Sequence, residues 1–219
     1  MTSDEKIKKD VVDQLFWDGR VDASRIEVTA SDGNVTLTGE VENFAAFQAA
    51  ESDVISIPGV RAVENLLTVK YPHAEPPPSD AEIKTSIESV LKWNPYLDDS
   101  RIDIVVDKGI VKLKGTVDLY WKKEKTKRIA YDIFGVLKVI DQLGVVHTND
   151  IADEVIAEEI AAALGRNTDI DEDKINIEVE NGNVILSGSV PDWNAYRSAY
   201  ETVLHTPGVT KLVNKLSIR

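Results

Sequence analysis

Asp32-Gly33-Asn34-Val35-Thr36-Leu37-Thr38-Gly39 recurs as Lys108-Gly109-Ile110-Val111-Lys112-Leu113-Lys114-Gly115, and again as Asn181-Gly182-Asn183-Val184-Ile185-Leu186-Ser187-Gly188. The copies lie 76 and then 73 residues apart, and those offsets hold without a gap on both sides. Downstream, Pro58-Gly59-Val60 answers Phe134-Gly135-Val136 and Pro207-Gly208-Val209. Upstream, Ile26 answers Ile102 and Ile175, Leu15 answers Leu91 and Leu164, and Asp4 answers Asp80 and Asp153. A fixed period is the mark of repeated structural units. The 219 residues therefore divide into repeats at 1–70, 80–147 and 148–219, with a proline-rich linker at 71–79. The linker reads as a semi-extended spacer. Only a short joint separates the last two repeats, which predicts that those two sit close together and the first stands more apart.

Each repeat reads alike. An aspartate (Asp4, Asp80, Asp153) stands where a side chain can cap a helix. Ile7, Val11 and Leu15 follow at helical spacing, as do their equivalents. Alternation then predicts a strand through Ile26 and Val28, and Asp-Gly, Lys-Gly or Asn-Gly turns it into a second. Gly39, Gly115 and Gly188 inside that second strand predict a bulge or a close backbone approach. A second helix at 44–57 ends near Gly59, a plausible stop matched by Gly135 and Gly208. A last strand runs over 60–69, 136–146 and 209–218. The fold class is α+β: three tandem αββαβ units, each a small three-stranded mixed sheet packed with two helices. The crossover through the second helix predicts that strands two and three are parallel; which strand is central stays open.

The motif Gly33, Val35, Leu37, Gly39, Val41, repeated at Gly109 to Val117 and Gly182 to Val190, together with the later Gly-Val, resembles the BON domain family over nearly the whole chain. That resemblance implies a bacterial, non-enzymatic module, found in envelope or osmotic-stress proteins and proposed to bind phospholipid. It implies no cofactor and supplies no catalytic residue. Three copies exceed the usual one or two, and the leader of most envelope members is absent.

Composition agrees with a soluble globular chain: 42% hydrophobic, 29% charged, no cysteine and a net charge of −13. The acidic balance argues against nucleic acid as partner. No transmembrane segment is present, and the opening residues lack the apolar stretch of a signal peptide. As written the chain reads as cytoplasmic, or periplasmic if a leader has been removed.

The charge is uneven. Residues 1–70 carry 7 bases and 13 acids, 148–219 carry 6 and 13, and 71–147 carry 12 of each. The bases of the middle repeat gather at Lys122, Lys123, Lys125, Lys127 and Arg128, beside Trp121. At 100° per residue, Trp121, Lys122, Lys125 and Arg128 share about 120° of arc. A solvated face is the default for such a run, but the other repeats place Ala45, Ala46, Ala49, Ser52 and Asn194, Ala195, Ser198, Glu201 at the same positions. The fold does not demand bases there, so the stripe is a candidate for anionic lipid headgroups. Trp93 and Tyr96 are candidate lipid or partner contacts. Ala45, Ala46 and Ala49 form a candidate face for a protein partner. His73, His147 and His205 show no ligand spacing and read as solvated. Asp169, Asp171 and Asp173, with Glu180, match some positions of a calcium loop, but Lys174 stands where that loop needs glycine. No metal site is expected there.

Overall fold

The computed structural model describes residues 3–70, 78–147, 151–168 and 170–218. Among them are six α-helices and three three-stranded sheets. The first repeat runs α1 (Ser3–Trp17), β1 (Ile26–Ser31), β2 (Asn34–Val41), α2 (Phe44–Ile55) and β3 (Ala62–Val69). The second runs α3 (Asp80–Trp93), β4 (Ile102–Asp107), β5 (Ile110–Val117), α4 (Tyr120–Tyr131) and β6 (Lys138–Val145). The third runs α5 (Asp153–Gly165), β7 (Ile175–Glu180), β8 (Asn183–Val190), α6 (Trp193–His205) and β9 (Lys211–Ile218). One turn of 3-10 helix precedes β1, β4 and β7.

The hairpin strand is central in every sheet: β1-β2-β3, β4-β5-β6 and β7-β8-β9. β1 and β2 are antiparallel, with Val28 opposite Leu37, and β2 and β3 are parallel, with Leu37 opposite Asn65. β7, β8 and β9 repeat that register. The reason lies in β2 and β8. Val35, Leu37 and Val41 point to one face and are almost fully buried, as are Val184, Leu186 and Val190. Each of these strands is paired along both edges, antiparallel on one side and parallel on the other.

Two backbone positions hold the hairpin. Asp32, Lys108 and Asn181 have φ of 51°, each followed by a positive-φ glycine. Two successive left-handed residues make the tight turn whose twist matches the strands. Gly39 has φ of 123°, and a Cβ there would overlap the Arg25 carbonyl; Gly115 and Gly188 repeat this approach. The expected helix stop at Gly59 shifts, because α2 ends at Ile55 with Ser56 as its cap. Gly59 lies in the following turn, closed by Val60 N–H to the Ile57 carbonyl (3.2 Å).

The chain groups into two compact bodies. One holds Met1–Ser89, Val105–Lys112 and Ile129–Ile140; the other holds Val90–Ile104, Leu113–Arg128 and Asp141–Arg219. In the first, α1, the sheet and α2 share one core through Val11, Leu15, Leu37, Ala46, Ala50 and Val54. The first repeat does not stand apart as expected. Phe44 stacks on Tyr131 of the second repeat, ring centroids 3.8 Å apart. In the second body the core of the third repeat includes Tyr120 from α4. Burial there pushes the Tyr120 hydroxyl up to about 12.

The anticipated capping role of Asp4, Asp80 and Asp153 is corrected. These residues begin their helices, but their carboxylates reach across to the hairpin. Asp153 accepts from Asn181 N–H (2.7 Å) and Gly182 N–H (2.9 Å). Asp80 accepts from Lys108 and Gly109 (2.8 and 2.9 Å), and Asp4 from Asp32 and Gly33 (3.0 and 3.2 Å). The true cap of α5 is Ala152, which makes no side-chain bond. At α3, Ser79 and Glu82 form a reciprocal capping box.

Candidate functional site

Helix α4 starts after the hairpin of the middle repeat and carries the basic run. Its residues are less open than the wheel suggests; of residues 121–128 only Arg128 is fully exposed. Three lysines are taken by acids of the same body. Lys122 meets Asp118 at 2.8 Å, Lys123 meets Asp141 at 3.3 Å, and Lys127 meets Glu124 at 2.9 Å. Lys123 also donates to the Leu143 carbonyl (2.5 Å). Asp118 precedes the helix and Asp141 lies on β6, so inspection of the helix face alone does not reveal them. No carboxylate forms an ion pair with Lys125 or Arg128 among the described residues.

Lys125 instead lies over two rings, 5.3 Å from the centre of Tyr96 and 5.8 Å from that of Trp121. The two rings meet edge to face at 6.4 Å. Lys122 is 5.7 Å from the Trp121 ring, so its ammonium is shared between ring and Asp118. His205, the last residue of α6, stacks on Trp121 with ring centroids 6.3 Å apart. The fold thus joins Tyr96, Trp121 and Lys125, which sequence reading held as separate candidates, and adds His205. Trp93 is 86% exposed and Tyr96 63% exposed. A cation over an aromatic face gains about 0.5–1 kcal/mol at an open site. The result is an amphipathic patch whose Lys125 ammonium has no carboxylate partner among the described residues.

Ala46 and Ala49 are buried, so the proposed outward alanine face is corrected. Alanine is small enough to face a core as readily as water, and here Ala46 and Ala50 carry α2 onto its sheet. Ala45 is exposed. Asp171 is paired with Lys174 at 2.5 Å, which holds its carboxyl below the usual range. Asp173 sits in the turn before β7, and Glu180 ends that strand. Asp169 and His73 lie outside the described residues. No group of three metal-ligating side chains gathers among the described residues. His147 is not simply solvated: its Nε2 is buried without a hydrogen-bond partner. It borders a cavity of about 530 Å³ beside Asp153 and Gly182. That Asp153 carboxylate is already engaged by the hairpin.

One recurring feature escaped sequence reading. Asn65, Asp141 and Asn214 each accept from the N–H two residues on, at Leu67 (3.2 Å), Leu143 (2.9 Å) and Leu216 (3.1 Å). The Asx-x-Leu spacing repeats at the same 76 and 73 offsets and was legible.

No helix among the described residues is long and apolar enough to cross a membrane. No curated protein matches the chain. Two solved structures of a type III secretion system structural protein from Chlamydia trachomatis, CdsD, are similar at 14% identity. One aligns over 96% of this chain and 91% of its own, with a TM-score of 0.27. The other, described as the C-terminal domain, aligns over 96% of each chain, with a TM-score of 0.28. The BON domain model matches at residues 3–71, 79–146 and 152–219. With three matches across nearly its full length, the chain belongs to the BON domain family, as three tandem BON domains.

Proposed function

We propose that this chain is a non-enzymatic binding protein that associates with anionic phospholipid surfaces through its middle BON domain, in the setting of osmotic or envelope stress. The observation that supports this reading is the Tyr96–Trp121–Lys125 patch. Amphipathic aromatics favour the headgroup level, where a ring is half apolar and half wet. Lys125 and Arg128 add charge attraction of about 1 kcal/mol each near an anionic surface. The acids that pair Lys122, Lys123 and Lys127 remove those bases from the attraction. Replacing Lys125 and Arg128 by alanine should therefore weaken binding about 30-fold, since each 1.4 kcal/mol is tenfold. Cosedimentation with phosphatidylglycerol vesicles tests this. Binding at low salt that falls with salt and with the double variant supports it; no binding at low salt refutes it.

A second reading, contact with protein, is favoured by a different surface. Val12, Phe16 and Trp17 on α1 are 42%, 69% and 81% exposed, and the two rings meet edge to face at 5.4 Å. Light scattering over a range of concentrations tests for self-association. Loss of association on Trp17→Ser would support this reading, and a strict monomer would oppose it.

A further inference from the structure

The first domain carries a pair of acids with no counterpart in the other two. Asp53 lies near the end of α2 and is only 6% exposed. Its Oδ1 accepts from Gln14 Nε2 on α1 (3.3 Å), while its Oδ2 is buried with no hydrogen-bond partner. The Asp18 carboxylate, one residue beyond α1, interacts with it. Asp18 itself is held by Arg20: backbone N–H (2.8 Å), Nε to both oxygens (3.0 Å each) and the terminal guanidinium nitrogen (2.5 Å). The equivalent positions are Asn94 and Ile129 in the second domain, and Asn167 and Thr202 in the third. An isoleucine at one of them shows that the fold needs no acid there.

A buried carboxylate oxygen beside a second carboxylate cannot be satisfied by that neighbour while both are ionised, because both only accept. One proton resolves this. We propose that Asp53 and Asp18 form a one-proton carboxyl pair that takes up a proton as pH falls and tightens the seat of α1 on α2. The proton comes from solvent and binds Asp53 Oδ2. The O–H then donates to the Asp18 carboxylate, while Oδ1 remains a carbonyl acceptor for Gln14. Asp18 stays ionised because its Arg20 contacts stabilise the anion, holding its carboxyl down to about 2. Burial pushes the Asp53 carboxyl above the usual range, opposed by the Gln14 bond and reinforced by the Asp18 charge.

The charges acting on Asp53 are Asp18, from the turn after α1, and Arg20 beyond it. On α2, Glu51 is drawn to Asn65 of β3 (3.3 Å). On β3, Glu64 meets Thr36 of β2 (3.5 Å). β2 presents Val35, Leu37 and Val41 to the core. The contact from α4 reaches α2 through Phe44, at the opposite end of the helix. Because the folded value is raised, stability is gained as pH falls through it, and the gain is complete below the unfolded value of about 3.9.

Carboxyl-carbon NMR titration of the full chain is the first test. The Asp53 signal should move at a midpoint above those of exposed aspartates. The second test is hydrogen exchange at the Ala50 and Val54 amides, corrected for intrinsic rates. Protection should rise on acidification, by tenfold for each pH unit that separates the folded and unfolded midpoints. Asp53→Asn, which keeps the Gln14 bond and cannot ionise, should lose that dependence. An ordinary Asp53 midpoint overturns the proposal whether or not the variant folds. So does an unchanged pH dependence in Asp53→Asn.

Discussion

Replacing Asp153 by alanine removes the tie between the start of α5 and the β7–β8 hairpin. Two charge-assisted bonds are lost, from Asn181 N–H and Gly182 N–H. A hydrogen bond to a charged group contributes about 1.5–3 kcal/mol. Asn181 is exposed, so water replaces its bond at little cost. The Gly182 bond is partly buried and retains most of its value, about 2 kcal/mol. Losing an acid from the first turn of α5 adds about 0.5 kcal/mol. The expected loss is thus about 2.5 kcal/mol, or ~70-fold in the opening equilibrium. Hydrogen exchange at Gly182 and Leu186 reads it directly. Asp153→Asn keeps a neutral acceptor and should lose about half as much. Asp153→Ser separates the two possible roles, since serine is a good helix cap but too short to reach the hairpin. Serine should behave like alanine. Recovery of wild-type protection by serine, or a loss below about 0.5 kcal/mol in alanine, would refute the clamp.

Gly39→Ala should destabilise the first domain by more than about 3 kcal/mol, because positive φ and overlap with the Arg25 carbonyl act together. Gly19→Ala, with open space around it, serves as the control, and urea unfolding compares them. Asp80 is held below the usual carboxylate range by the Gly109 and then the Lys108 N–H. A depressed folded value means that its stabilisation is present above about 3.9 and is lost as pH falls through the folded value. The Gly109 amide shift should report that transition, and Asp80→Asn should abolish it.

The strands, hairpins and first helices were legible because apolar spacing at periods of two and 3.6 recurs three times at fixed offsets. The parallel pairing of β2 and β3 followed from a helix lying between them. The central place of β2 did not, since the pairing of β2 with β3 joins residues 28 apart in the chain and is tertiary. Asp4, Asp80 and Asp153 misled for a specific reason: a helix start favours aspartate for capping, and the hairpin bond that uses it spans 28 or 29 residues. The alanines of α2 carry no polar mark to show which way they face. The basic run of α4 was plain, but the acids that neutralise it were not. Asp141 lies 18 residues beyond Lys123 and reaches it only through the fold. The approach of Tyr96, Trp121 and His205 is likewise tertiary, drawing on three separate elements. Asp53 reads as an ordinary solvated acid until α1 covers it.

The proposed contact with anionic lipid is tested most directly by placing the full chain on phosphatidylglycerol nanodiscs that contain a headgroup spin label. Paramagnetic broadening should concentrate on the Trp93 and Trp121 indole N–H signals and on the amides around Tyr96 and Lys125. Broadening there that disappears with phosphatidylcholine nanodiscs is the result this account predicts. Broadening confined to Trp17, or absent throughout, would contradict it.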